Sequence, residues 1–245
     1  MKTARMSLLV PFLLLTGAAH AEDAANDDAS RKAEVREVSD FDGVSFGHGI
    51  HAKVKVGPKS VRVEGPQELV SRLRFVVEDG KLQTEVDRKG GFFGSNFNGG
   101  KVRVYVSNPR IEEVDASGGS HVEADVTSED DFTAHASGGA TLSVRGVDAR
   151  KVEVEASGGG TVTLEGRAKA LEVEASGGAV VKAKNLKGLK DLEVEASGGA
   201  RVEANPSNSV SVEGSGGATV QCGARPPKTN VRASGGTQVL YDSDA

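Results

Sequence analysis

From Val35 onward, apolar and polar residues alternate in short runs broken by glycine, proline and Asx turns. Alternation of this kind places successive side chains on opposite faces of a strand. His51–Val56 (HAKVKV), Ser60–Glu64, Leu73–Val77, Lys81–Val86 and Lys101–Val106 therefore read as strands. Gly57-Pro58, Asp79-Gly80 and Asn108-Pro109 punctuate them as turns. Gln67–Arg72 alone reads as a helical turn.

From Arg110 the alternation acquires a longer period. Seven Ser-Gly-Gly triplets begin at Ser117, Ser137, Ser157, Ser176, Ser197, Ser215 and Ser234, in steps of 20, 20, 19, 21, 18 and 19 residues. A period of this size is the mark of stacked coils. Three residues before each serine stands Val114, Ala134, Val154, Val173, Val194, Val212 or Val231. Three after each Gly-Gly stands Val122, Leu142, Val162, Val181, Val202, Val220 or Val239. These positions share a parity and predict an inward face of Val, Leu and Ala. Ser-Gly-Gly is then a corner, where glycine permits positive φ or close backbone approach. Stacked corners would set serine hydroxyls about 4.8 Å apart, each able to bond the next. The reading is an all-β, β-helix-like solenoid of about 19–20 residues per coil, with right-handed crossovers the expected hand.

Residues 1–21 carry Lys2 and Arg5, a short apolar stretch, and Ala19-His20-Ala21, the layout of a signal peptide. The stretch is shorter than the roughly 20 apolar residues of a membrane span, and no later segment is apolar enough. No cysteine stands at the cleavage point, so lipid anchoring is not expected. Residues 22–33 read as a flexible acidic leader, 34–109 as an amino-terminal β segment continuing or capping the solenoid, and 110–245 as the regular coils. Loss of Lys2 and Arg5 takes the net charge from −5 to −7. An acidic chain with no Trp and two Tyr lacks what nucleic-acid binding needs. Cys222 is the one cysteine, so no intrachain disulfide forms, and its parity predicts a buried, inert thiol. Tyr241 in the last coil is the expected cap.

The outward positions carry the candidate chemistry. Glu153, Glu155, Glu172, Glu174, Glu193 and Glu195 form a two-by-three carboxylate grid across three coils. Like charges on neighbouring strands repel, so the grid calls for neutralisation. Either basic residues between Arg145 and Lys190 lie beside it, or a weakly held divalent cation or a cationic partner does. Charge there also keeps the stacked strands soluble and resists sheet-to-sheet aggregation. Gly90–Gly100 places Phe92, Phe93 and Phe97 in one glycine-rich loop, which either docks a partner or folds back on the solenoid end. His48, His51, His121 and His135 would make a metal site only by converging with a carboxylate. No GxSxG, HExxH or CxxC is present.

The opening Arg36–Val44 (REVSDFDGV), Gly49–Val56 (GIHAKVKV), Val61–Gly65, Glu78–Leu82 and the serial Ala-Ser-Gly-Gly coils together resemble the head GIN domain family, an auto-transporter adhesin family of unknown function. The resemblance spans Arg36 to Tyr241. It implies an exported all-β protein of stacked strands and brings no catalytic residues. The functional expectation is a non-enzymatic envelope module, periplasmic or at the cell surface, displaying repeated side chains to a cationic or repetitive partner. No cofactor is expected beyond a weakly bound cation. The rival expectation is a β-helix enzyme acting on envelope or extracellular polysaccharide. It would need convergent acids and bases in a cleft.

Overall fold

The computed structural model describes residues 31–87, 97–126 and 130–242. The expected signal peptide, the leader up to residue 30, and Phe92 and Phe93 lie outside the described residues. The chain folds as a β-solenoid of about 6 turns. Its elements are β1 (Arg31–Arg36), β2 (Gly43–Phe46), β3 (His51–Val56), β4 (Ser60–Pro66), α1 (Gln67–Val70), β5 (Leu73–Glu78), β6 (Lys81–Val86) and β7 (Arg103–Asn108). There follow β8 (Glu113–Ala116), β9 (His121–Asp125), β10 (Asp131–Ala136), β11 (Thr141–Ala156), β12 (Thr161–Ala175) and β13 (Val180–Lys187). The last are β14 (Asp191–Ala196), β15 (Arg201–Ala204), β16 (Ser209–Gly214), β17 (Thr219–Cys222), β18 (Lys228–Ala233) and β19 (Gln238–Tyr241). No helix among the described residues is long and apolar enough to cross a membrane.

Two parallel ladders meet at the Ser-Gly-Gly corners. Strands leading into a corner stack as β2, β8, β10, β11, β12, β14, β16 and β18, the front ladder. Strands leaving it stack as β7, β3, β9, β11, β12, β13, β15, β17 and β19, the back ladder. Inward residues of β11 run Leu142, Val144, then Val147, Ala149, then Val152, Val154, Ala156. Each break in that alternation turns the chain, so a full coil has three sides, one of them short. Gly146, at φ 73°, makes the first break, and a Cβ there would lie 2.9 Å from the Val126 carbonyl oxygen. The pairing slips by one residue at this point, so unequal coil lengths are taken up at corners without disturbing the sides.

The Ser-Gly-Gly corners are bound by backbone. Ser137, Ser157, Ser176, Ser197, Ser215 and Ser234 each donate their N–H, at 2.9 Å, to the carbonyl just before the preceding corner. The hydroxyl ladder expected from the sequence gives way to this backbone ladder, and Ser234 Oγ donates to Gly214 O at 3.3 Å. The first two corners hold both glycines at positive φ (Gly118, Gly119, Gly138, Gly139), as in a type I′ turn. From Gly158 on, only the first glycine does, as in type II′. With the intervening peptide so turned, Gly178, Gly199 and Gly217 donate N–H to the first glycine of the coil before, at 2.6, 2.7 and 2.7 Å.

The buried side chains from Phe41 to Cys222 form one continuous core. Phe46, Phe132, Ile50, Leu82 and Ile111 fill its amino-terminal part, and Val, Ala and Leu the rest. Burying each Val or Leu contributes roughly 1.5–3 kcal/mol before entropy is charged against it. The amino-terminal end is covered: β4 runs antiparallel to β7, β1 antiparallel to β4, and the β5–β6 hairpin lies on β2. Residues 31–33 of the expected leader thus belong to β1, which pairs with the edge of β4. At the other end Tyr241 is half-buried beneath the Arg225 guanidinium, 5.5 Å from its centroid, yet Val231 and Leu240 stay 40% and 46% exposed. Among the described residues, one tyrosine ring does not cover the last coil.

Candidate functional site

Parallel register puts identical residue types side by side. Glu153, Glu172 and Glu193 pair across β11, β12 and β14, and so do Glu155, Glu174 and Glu195. The expected grid is therefore present as geometry, with neighbours about 4.8 Å apart along the axis. Its neutralisation is narrower than expected. Lys151 Nζ lies 2.5 Å from Glu153 and 2.6 Å from Glu172, and the two carboxylates hold its proton well above the ordinary lysine value. Arg150 instead joins Asp131, Arg167 joins Asp148, Arg145 lies by Glu123, and Lys184 reaches Asp242. Glu174, Glu193 and Glu195 make no ion pair among the described residues. Arg145 and Lys184 lie on back-ladder strands, Arg167 on the short side and Arg150 at the turn before Lys151.

The outer carboxylate column borders an open groove of about 590 Å³. Glu155, Glu174, Glu195 and Glu213 form one wall, the corner serines Ser157, Ser176, Ser197 and Ser215 the other, and Ala156, Ala175, Ala196 and Gly214 line it between them. Arg232, paired with Glu213 at 2.5 Å, closes one end. The groove presents acceptors at a fixed repeat.

At the other end of the same column the chain supplies its own cation. Lys81 Nζ lies 2.5 Å from Glu113 and 2.8 Å from Asp115, reaching across Gly43, where the absent side chain leaves room. His135 Nε2 stands 3.4 Å from Glu113, and its Nδ1 3.2 Å from Glu155. Glu113, Asp115 and His135 offer ligand atoms within 4.8 Å of one another, a metal-like arrangement. The Lys81 ammonium already occupies the position between the carboxylates, so a divalent ion would have to displace it. Burial, aided by Glu113, raises the Asp115 carboxyl above its ordinary value against the pull of Lys81. The sequence places Glu113 and Asp115 four and two residues before Ser117, and His135 two before Ser137, at outward positions of successive coils. It gave no sign of Lys81, which arrives from a hairpin outside the repeat.

The remaining candidates separate. Phe97 packs back on the core, edge-on to His48 with centroids 6.3 Å apart, and beneath Arg72. His51 and His121 lie side by side across β3 and β9 with centroids 5.7 Å apart and ring planes at 44°, on the back ladder, whereas the His135 cluster is on the front ladder. Cys222 is buried, and burial pushes its thiol up to about 11.

Residues 40–226 match the family model described as "Putative auto-transporter adhesin, head GIN domain". Among solved structures, a putative adhesin from Bacteroides fragilis shares 18% identity at a TM-score of 0.77, covering 86% of this chain and 96% of that one. A putative adhesin from Parabacteroides merdae shares 15% identity at 0.57, over 87% and 97% of the two chains. A putative lipid binding protein from Parabacteroides distasonis shares 11% at 0.63, over 88% and 98%. At such identities the likeness is one of fold. No curated protein matches the chain.

Proposed function

The chain belongs to the head GIN domain family, and from that premise we propose an exported, non-enzymatic, adhesin-like module of the bacterial envelope whose acidic groove engages a cationic, repetitive partner. The observation that carries this reading is the groove itself: carboxylates repeated in register from coil to coil, with Glu174, Glu193 and Glu195 lacking a countercharge within the described chain. A partner bearing regularly spaced cations engages several rows at once, and each row adds to the effective concentration for the next. Such contacts are rim-like and solvated, so binding weakens as salt rises.

The test is binding of oligolysine and of neutral polymer to the mature chain. It is run on the parent and on a variant with Glu153, Glu155, Glu172, Glu174, Glu193 and Glu195 changed to Lys. Salt-sensitive binding by the parent alone supports the reading; equal binding by both refutes it. Protease added to intact cells locates the chain, and digestion there places it at the surface. Release of reducing ends from envelope polysaccharide by the parent would refute the non-enzymatic part.

A further inference from the structure

A second pocket lies on the back ladder, on a different side of the coil from the acidic groove. β7, β3 and β9 run side by side there, with His51 opposite both Arg103 and His121, and Lys53 opposite both Tyr105 and Glu123. Their outward side chains enclose about 390 Å³ over a floor of Ala52 and Val104. That volume falls at the small end of ligand sites.

The charge balance of this pocket is the reverse of the groove's. Arg103 makes no ion pair among the described residues. The acid opposite it in the antiparallel pairing, Glu64, is held by Arg62 at 2.5 Å. The one carboxylate lining the pocket, Glu123, is shared among Lys53 at 3.5 Å, Arg145 at 3.8 Å and His121 at 3.8 Å. His51 is held below the ordinary histidine value by burial first, then by Arg103 and His121, consistent with uncompensated positive potential. An anion placed by Arg103 and Lys53 relieves it. Glu123 and the two imidazoles add hydrogen-bonding capacity of both signs beside that anion. The Tyr105 ring, with the Arg62 guanidinium 4.6 Å from its centroid, supplies a flat apolar wall. A bare inorganic anion would use Arg103 and Lys53 but would meet Glu123 as a like charge. A ligand carrying hydroxyls as well as a negative group uses all of them.

We propose that this pocket binds an anionic sugar: a single ring bearing a carboxylate or phosphate, with Arg103 and Lys53 on the charge, Glu123 and the histidines on hydroxyls, and Tyr105 against the ring. The site is independent of the acidic groove, and changing Glu174 and Glu195 to Lys leaves it intact.

Titration of the mature chain with glucuronate, glucose 1-phosphate, glucose and inorganic phosphate, followed by NMR or calorimetry, tests it. The expected result is saturable binding of glucuronate or glucose 1-phosphate, with glucose and inorganic phosphate markedly weaker. The better of the two sugars identifies the acid group. Arg103→Gln and Lys53→Gln alter exposed side chains and leave the core in place. Each is expected to weaken binding roughly tenfold, the loss of one charge-assisted hydrogen bond. Tyr105→Leu is expected to weaken sugar binding more than phosphate binding. No saturable binding by either acidic sugar, inorganic phosphate binding as tightly as the sugars, or sugar binding unchanged in both Arg103→Gln and Lys53→Gln overturns the proposal.

Discussion

Two corner glycines with nearly the same backbone angle should respond very differently to alanine. Gly119 has φ 75°, and a Cβ there would have no heavy atom within 4 Å. Gly198 has φ 67°, and its Cβ would come within 2.9 Å of the Gly177 carbonyl oxygen and 3.2 Å of the Gly177 nitrogen and Cα. Gly119→Ala therefore costs the left-handed penalty alone, about 1–2 kcal/mol. Gly198→Ala adds a clash that only backbone movement relieves, worth about 1–3 kcal/mol. That movement also disturbs the Gly199 N–H bond to Gly177 O at 2.7 Å, worth about 1 kcal/mol more. The expected separation between the variants is about 2–4 kcal/mol, the sum of those last two effects. Urea unfolding followed by circular dichroism measures it, with the slope of each transition compared as well as the midpoint. Equal midpoint shifts at unchanged slope would refute the claim that coil-to-coil backbone contact, rather than φ alone, dictates glycine at the later corners.

Other outcomes follow from burial and charge. Leu171→Ala, at a site 1% exposed in β12, should destabilise the chain by about 2–5 kcal/mol in the same unfolding assay. Cys222 should resist a thiol reagent at pH 8 in the folded chain and react once urea unfolds it, since burial pushes its pKa up to about 11 and the thiolate is the nucleophile. Asp115 has its folded pKa raised above 3.8, so the folded state binds this proton more tightly than the unfolded state. Its contribution is fully present below that unfolded value and is lost as pH rises through the folded one. The stability of the parent minus that of Asp115→Asn should therefore fall as pH climbs above about 4, measured by urea unfolding across a pH series; a rising difference would contradict the assigned cause.

The repeat made much of this readable in advance. Inward parity followed from Val154, Val173 and Val194 standing three before each serine, and the same counting put Glu155, Glu174 and Glu195 in one row. Parallel in-register stacking converts a sequence period directly into spatial neighbours, which is why those positions needed no tertiary information. What the period does not contain was missed. The first corner, Gly47-His48-Gly49, carries His48 at φ 61° and Gly49 at φ 73°, and Ile50 N–H closes it on Gly47 O at 3.3 Å. It does the work of a Ser-Gly-Gly without its spelling. Between it and Ser117 the chain makes an excursion through β4, α1, the β5–β6 hairpin, whose β6 lies parallel to β2, and β7, which lies parallel to β3, so the spacing signal is interrupted. Lys81 belongs to that excursion, and its meeting with Glu113 and Asp115 joins positions 32 and 34 residues apart. The disposal of Arg150 and Arg167 was equally hidden, because charge counting does not say which side of a three-sided coil a residue occupies.

Coils of 18 to 21 residues stack here without loss of register, since each difference is absorbed where the chain turns. Length is thereby uncoupled from shape. Duplicating or deleting a coil would move the ends by about 4.8 Å and add or remove one acidic rung, leaving every other rung where it was. The molecule is in this sense a ruler whose graduation is set by the peptide backbone and whose number of marks evolution can change one at a time.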